Sequence, residues 1–408
     1  MKCRHCGEEI RLTLIDLGSS PPSNAYLSSQ DSNQQETWFP LRVRVCEACW
    51  LVQTQDFVDT EVLFNPDYAY FSGSSDTWVE HCRQYVEDMI ERLDLGEASQ
   101  VIEVASNDGT LLRHFHDQGV PCVGIEPTAK AATKARSFGI RIVQEFLSAE
   151  VADQMVSDGT RADLLVANNV LAHVPAIGDF VSGCSTLLAG EGVATFEFPH
   201  LLELVAATQF DTIYHEHFSY LSLVSVERVL SAAGLVVFDV ERIPTHGGSL
   251  RVLAQHAATG RFPTGPGVAE VRSLEATAGV ETAAYYAGFQ DRADLIKDAF
   301  LTFLLEARSS GRSVAAYGAA AKGNTLLNYS GVGPDLISFV ADRNVAKQGL
   351  FLPGSRIPIV DEAEIGHSQP DYVVILPWNL REEITEQLSY IRGWSGSFVV
   401  AVPELEVW

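Results

Sequence analysis

The chain has 408 residues, 46% of them hydrophobic and 20% charged, which suits about two or three cored domains and excludes a disordered or collagen-like protein. Lys and Arg number 28 against 53 Asp and Glu, a formal net charge of −25. A surface of that sign repels nucleic-acid phosphates and anionic lipid, so neither a nucleic acid nor a membrane is expected as a partner. No apolar run approaches ~18 residues and the opening residues lack a signal-peptide core, so a cytoplasmic location is expected. Seven Cys, four of them in two CxxC pairs, suit metal ligation in a reducing compartment better than disulfides.

In chain order, residues 1–65 read as a zinc-binding module. Cys3-Arg-His-Cys6 and Cys46-Glu-Ala-Cys49 bracket a turn-rich stretch. Two such knuckles offer four thiolates, a closed tetrahedral shell with no open position, which predicts a structural Zn2+ with His5 as a lesser competitor. Tyr68-Ala-Tyr-Phe-Ser-Gly-Ser-Ser75 then packs aromatics and hydroxyls ahead of a helix predicted over Asp76–Leu93. Residues 66–258 read as one α/β domain, with strands at Val101–Ala105, Cys122–Ile125, Arg141–Gln144, Leu164–Asn168, Val193–Phe198, Val236–Glu241 and Leu250–Gln255. Helical stretches separate the first five, and a short Gly-containing connection joins the last two, which predicts a parallel doubly wound sheet ending in an antiparallel pair. Residues 259–267 break all periodicity. Residues 268–408 then read as a long helical region to Ser309 and a second Rossmann-like α/β unit, with strands at Ser313–Tyr317, Ile337–Ala341, Tyr372–Leu376 and Ser397–Val402.

Several segments carry chemistry. Val101-Ile-Glu-Val-Ala-Ser-Asn-Asp-Gly109 is a buried strand running into a loop and a helix, the place where a nucleoside cofactor meets backbone. The common pattern there is an acidic residue followed by Gly-x-Gly-x-Gly. Here Gly109 remains, with Ala105 and Ser106 as small substitutes. Glu103, Ser106, Asn107, Asp108 and Gly109 are therefore candidate cofactor contacts. Glu126 ends the second strand, where a carboxylate can accept both ribose hydroxyls, and Glu145 and Phe146 end the third, where an adenine would sit. The absence of a phosphate-cradling Gly cluster favours S-adenosylmethionine over NAD. Asn168, Asn169 and His173 follow the fourth strand and should face the same cleft. Between the fifth and sixth strands, Tyr214, Glu216, His217 and Tyr220 crowd ionisable groups into seven residues, and a neutral imidazole there suits general-base work near pH 7. His215 and His217 could also suggest a metal, but a third ligand is missing. Lys322, in Ala316-Tyr-Gly-Ala-Ala-Ala-Lys-Gly-Asn324, opens a helix after a strand and would suit a diphosphate.

Taken together, the paired knuckles, Tyr68-Ala-Tyr70, Ser106-Asn-Asp-Gly109, Asn169–His173, Tyr214-His-Glu-His217, His246-Gly-Gly248 and Tyr317-Gly-Ala-Ala-Ala-Lys322 resemble the sugar C-methyltransferases of deoxysugar biosynthesis, of the tetronitrose and mycarose pathway type. The resemblance covers the whole chain. It implies a zinc module, a central class I methyltransferase domain and a carboxyl-terminal Rossmann-like domain that holds much of a nucleotide-linked keto-sugar. It also implies removal of a proton α to a 4-keto group, most readily at C-3, and methylation of the enolate carbon. His217 is then the expected base, Glu216 the group that holds or polarises it, and Tyr214 with Tyr68 the contacts to the sugar and its oxygen. Tyr70, Asn169, His173, His246, Tyr317 and Lys322 are the remaining expected substrate contacts. The sequence leaves open His215 as the base, the ring carbon, the nucleotide and the oligomeric state, for which a monomer would suffice. Two other readings stand beside it, a C-methyltransferase for a non-sugar keto acceptor and an inactive zinc-containing scaffold.

Overall fold

The computed structural model describes residues 1–29, 35–55, 57, 72–74 and 76–408. Three antiparallel strands open the fold, β1 (Leu12–Ser20), β2 (Phe39–Val45) and β3 (Val52–Thr54). Their alternating burial, with Leu14, Val43 and Val45 inside, gives one packed face, as an antiparallel sheet with one wet side requires.

The central sheet is built from β4 (Val101–Val104), β5 (Cys122–Ile125), β6 (Arg141–Val143), β7 (Ala162–Val166) and β8 (Leu188–Pro199), all parallel. After a two-residue strand β9 (Ser219–Tyr220), the hairpin β10 (Leu235–Ile243) and β11 (Ser249–His256) completes it, with β11 antiparallel to both β10 and β8. The order is β10-β11-β8-β7-β4-β5-β6. Every residue of β4 is buried, the mark of a central parallel strand covered by helices on both faces. The helix over Asp76–Leu93 forms as expected and buries Tyr85, Val86 and Met89 against this sheet.

β9 belongs to a different sheet. It pairs with β3 through Val52↔Tyr220 and Gln53↔Ser219, so the amino-terminal sheet takes its fourth strand from the central part of the chain. The helical region expected over 268–309 is divided into Pro266–Ala278, Ala283–Tyr286 and Phe289–Ser309, with Gly279 and Gly288 in left-handed backbone at the breaks. The last sheet comprises β12 (Val314–Tyr317), β13 (Val340–Ala341), β14 (Ile359–Val360), β15 (Tyr372–Ile375), β16 (Ser397–Val400) and β17 (Glu406–Val407). It runs β14-β13-β12-β15-β16-β17, parallel except for β17. One face, including Val314 and Ala316, packs toward Ile15, Val43, Phe210 and Ile213. No helix among the described residues is long and apolar enough to cross a membrane.

Candidate active site and metal centre

Cys3, Cys6, Cys46 and Cys49 converge, with all four Sγ atoms within 4.8 Å of one another. Two of the sulfur pairs, Cys3–Cys49 and Cys6–Cys46, lie 3.5 Å apart. A tetrahedral Zn2+ with bonds of about 2.3 Å separates its sulfurs by roughly 3.8 Å, so this donor set fits the ion. The residue after each second Cys, Gly7 or Trp50, is left-handed (φ 78° and 59°), and Trp50 is held there by stacking on Tyr286 with ring centroids 6.1 Å apart. Gln53 Nε2 donates to Cys3 Sγ at 3.3 Å. His5 is not among the converging ligands.

At the carboxyl ends of β4, β5 and β7 lies a cleft of about 490 Å³. Its floor is the loop after β4. Ala105, Asn107 and Gly109 have φ of 55°, 48° and 81°, so the three positions of a Gly-x-Gly-x-Gly turn keep left-handed backbone although only one is Gly. The second of these positions is Asn107, not Ser106 as the sequence reading had it. A Cβ on Gly124 would stand 2.3 Å from Ser106 Oγ, so β5 needs glycine to let this loop close over it. Glu126 anchors the loop: its carboxylate accepts the Asn107 N–H at 3.0 Å and the Thr128 N–H at 2.8 Å, with lone pairs to spare for a diol. Asn107 Oδ1 and Asp108 Oδ2 accept the N–H groups of Ser72 (2.9 Å) and Gly73 (3.1 Å), so these two side chains tie the approach to the Asp76–Leu93 helix onto the loop.

The cleft is lined by orphaned polar atoms. Glu103 Oε2, Ser106 Oγ, both amide atoms of Asn168, Asn169 Nδ2 and His246 Nδ1 are buried without a hydrogen-bond partner among the described residues, and all five residues line the cleft. Burial, with Asp108 and Glu126 adding to it, holds the Glu103 carboxyl well above the usual carboxylate range. Asn169 and His246 are left-handed as well (φ 55° and 56°), so non-glycine strain gathers here, as it does at functional sites. Glu145 and the half-exposed Phe146 stand at the rim, and Leu111, Ile125 and Phe180 supply apolar wall. This combination of polar groups and apolar wall suits an adenosyl group joined to an amino acid. Trp78 and Cys82, from the Asp76–Leu93 helix, also line the cleft, and the sequence reading did not single them out as site residues.

Beside the cleft sits the His217 cluster. His217 Nδ1–H donates to the Thr212 carbonyl at 2.9 Å, and Nε2 accepts the Tyr214 hydroxyl at 2.8 Å. The Thr212 carbonyl can only accept, so it makes Nδ1 the protonated nitrogen, and with the ring kept neutral by burial Nε2 is the basic nitrogen facing a phenol. Burial, with His173 adding to it, lowers its pKa well below the ordinary value. The His173 ring lies edge-on to it at 4.6 Å, lines the cofactor cleft, and donates Nδ1–H to the Glu216 carbonyl at 2.9 Å.

Other expected residues fall elsewhere. The role of holding His217 belongs to Thr212 and Tyr214, while the Glu216 carboxylate accepts both contacts of Asn24 Nδ2, at 2.7 and 2.9 Å. His215 turns its Nε2 to the Phe39 carbonyl (3.3 Å), away from the cluster. Tyr317 is turned away too. Strand alternation places it with Phe339 and Ala341 on the other face of its sheet, where Gln387 (2.6 Å) and Glu362 (3.1 Å) hold its hydroxyl. Lys322 Nζ donates to Asn379 Oδ1 at 2.6 Å and lies 4.7 Å over the Trp378 ring. Tyr68 and Tyr70 lie outside the described residues.

The sheet order, the cofactor loop and the orphan-lined cleft are those of a class I S-adenosylmethionine-dependent methyltransferase. Family models match along the chain: a zinc binding domain over residues 3–64, a methyltransferase domain over 78–240 and a C-methyltransferase C-terminal domain over 244–403. C-methyltransferase NovU of Streptomyces niveus is 36% identical over 406 residues, all of this chain and 96% of that protein. The chain belongs to this C-methyltransferase family. An ubiquinone biosynthesis O-methyltransferase of Rhodopseudomonas palustris is 25% identical over 114 residues, 28% of this chain and 44% of that protein. The magnesium protoporphyrin IX methyltransferase of Synechocystis, solved with bound S-adenosylmethionine, matches with a TM-score of 0.36 and 14% identity, over 49% of this chain and 99% of that one. The protein is an S-adenosylmethionine-dependent C-methyltransferase with a zinc-binding amino-terminal module.

Proposed function

We propose that the acceptor is a nucleoside-diphosphate 4-keto-deoxysugar, that the methyl goes to C-3, and that His217 removes the C-3 proton. The observation that carries this reading is the fixed neutral tautomer of His217, one imidazole ring away from the cofactor cleft. The full-length likeness to NovU supports a sugar acceptor.

Bound S-adenosylmethionine supplies an electrophilic methyl on a sulfonium. Glu126, Asn168 and the left-handed loop would hold it. A C–H beside a ketone is acidic enough for a positioned base, and His217 presents Nε2 once the acceptor displaces the Tyr214 hydroxyl. That hydroxyl would then donate to the oxygen on which the enolate charge collects, with Tyr68 as the second contact that the family resemblance implies. Thr212 keeps the Nδ1 proton and so stabilises the imidazolium that forms. Asn169 and His173 would align the sugar in the cleft. The nucleotide would lie toward the carboxyl-terminal domain, and the setting is an intracellular deoxysugar pathway.

The test is transfer of labelled methyl from S-adenosylmethionine to a panel of nucleoside-diphosphate 4-keto-6-deoxysugars, with NMR of the product. Label on C-3 is expected. Label on another ring carbon corrects the regiochemistry, and no transfer with cofactor still bound refutes the sugar acceptor. His217→Asn should cut turnover by at least ~100-fold, the scale of a lost general base, with cofactor affinity retained. A nearly unchanged rate would remove His217 from the role.

A further inference from the structure

Two contacts made by residues far apart in sequence meet at the segment that carries His217. Trp378, at the carboxyl end of β15, donates its indole N–H to Asp211 Oδ2 at 2.7 Å. Thr325, from the helix after β12, donates its hydroxyl to the Ile213 carbonyl at 2.8 Å. Between them lies Thr212, whose carbonyl orients the His217 ring. Asp211 is fully buried, and its other oxygen has no partner among the described residues. The indole N–H is thus the only hydrogen bond from a side chain described for this carboxylate.

The Trp378 ring has two further neighbours in the site. Lys322 Nζ stands 4.7 Å from its centroid. Its far edge packs against Gly247, where an added Cβ would lie 2.5 Å from the ring, next to the strained, cleft-lining His246. One side chain just beyond β15 therefore contacts the segment before the base, the loop that carries His246, and the half-buried Lys322 cation.

We propose that Trp378 is a positioning residue for methyl transfer: its N–H fixes Asp211 and thereby the Thr212 carbonyl that sets the His217 tautomer, while its ring seats Lys322 and the His246 loop. The carboxyl-terminal domain then builds half of the reaction centre rather than only adjoining it. This rests on His217 being the base, as proposed above.

Trp378→Phe keeps an aromatic ring at this position and deletes the N–H, together with the far indole edge that packs on Gly247. With selectively 15N-labelled histidine, the hydrogen-bonded His217 Nδ1–H gives a protected imidazole resonance, assigned by its loss in His217→Asn. The buried His200–Glu275 pair, 2.8 Å apart, is the internal control. The expected result for Trp378→Phe is a displaced or exchange-broadened His217 resonance with that of His200 unmoved. With the best acceptor of the panel, kcat should fall at least about tenfold while S-adenosylmethionine affinity stays within about twofold, as misplacement of a reacting group requires. The double variant Trp378→Phe/Asp211→Ala should be no slower than the worse single, because both remove one bond. An unmoved His217 resonance in folded Trp378→Phe overturns the proposal, and so do additive losses in the double variant. If wild-type protein methylates no acceptor, the functional reading fails while the resonance still decides whether Trp378 positions His217.

Discussion

His217 gains its usefulness from burial. Taking the imidazole out of water penalises its charged form, and the neighbouring His173, His246 and Lys322 would repel an added proton. The ring therefore stays neutral where an ordinary histidine is partly protonated, at the cost of weaker intrinsic basicity. The acid limb of kcat for the preferred acceptor is expected to have its midpoint below pH 6.5. An unshifted imidazole of pKa ~6.5 would leave only about a quarter of the plateau rate at pH 6, whereas this one should leave well over half. A limb centred at 6.5 or above, measured in short assays, would contradict either the burial or the assignment of the base. Ala105 and Asn107 make the same point about context. Left-handed backbone costs an L-residue about 1–2 kcal/mol, yet both hold it beneath the cofactor cleft, where Glu126 accepts the Asn107 N–H.

At the scale of elements, the zinc knuckles are wired to the segment that carries His217. Arg4, between the first two thiolates, donates to the Pro175 carbonyl at 3.0 Å and the Thr54 carbonyl at 2.8 Å. Thr54 in turn donates its hydroxyl to the His217 carbonyl at 2.5 Å, and β3 pairs with β9 two residues later. Metal binding that stabilises the knuckles should therefore stabilise the His217 segment. Cys46→Ser is expected to lose zinc, to melt earlier, and to show faster amide exchange at residues 52–54 and 217–220. A zinc-free, stable and fully active Cys46→Ser protein would refute the structural role. Against that wiring, what the sequence discloses is uneven for physical reasons. The strands β4, β5 and β7 are legible because buried parallel strands are continuous apolar runs, and the knuckles because thiolates at CxxC spacing have few other uses. The two-residue strand β9 is too short to leave a pattern. The cofactor loop looked glycine-poor because sequence records residue type rather than φ. Tyr317 read as a site residue because a motif does not tell which face of a strand a side chain takes. The bond between Trp378 and Asp211 spans 167 positions, and no local signal encodes such a pairing.

At the scale of the whole molecule, the proposed reaction centre lies at a seam where the zinc sheet, the central sheet and the carboxyl-terminal sheet meet, and the seam holds titratable groups away from water. Burial lowers His173 and His246 to about 4, and it raises Asp211 to about 6 against the opposing pull of Lys322. The signs differ. A histidine neutral in the fold but protonated when unfolded leaves the unfolded chain holding more protons between about pH 6.5 and 4, so stability falls as pH drops through that window. For Asp211 the fold holds the extra proton between about pH 6 and 4, so acidification there stabilises. By linkage, moving from pH 7 to 5 removes at most ~2 kcal/mol for each histidine and returns about 1 kcal/mol through Asp211, so destabilisation wins. Melting temperature should therefore fall between pH 7 and 5, and His173→Asn should flatten that slope, because it removes one of the histidines responsible. Amide exchange at pH 5 should rise first along 210–218 and 245–248, the segments that carry Asp211, His217 and His246, before β4 and β7 respond. Equal melting temperatures at pH 7 and 5, or a slope unchanged in His173→Asn, would show that the seam does not carry the acid sensitivity of the fold.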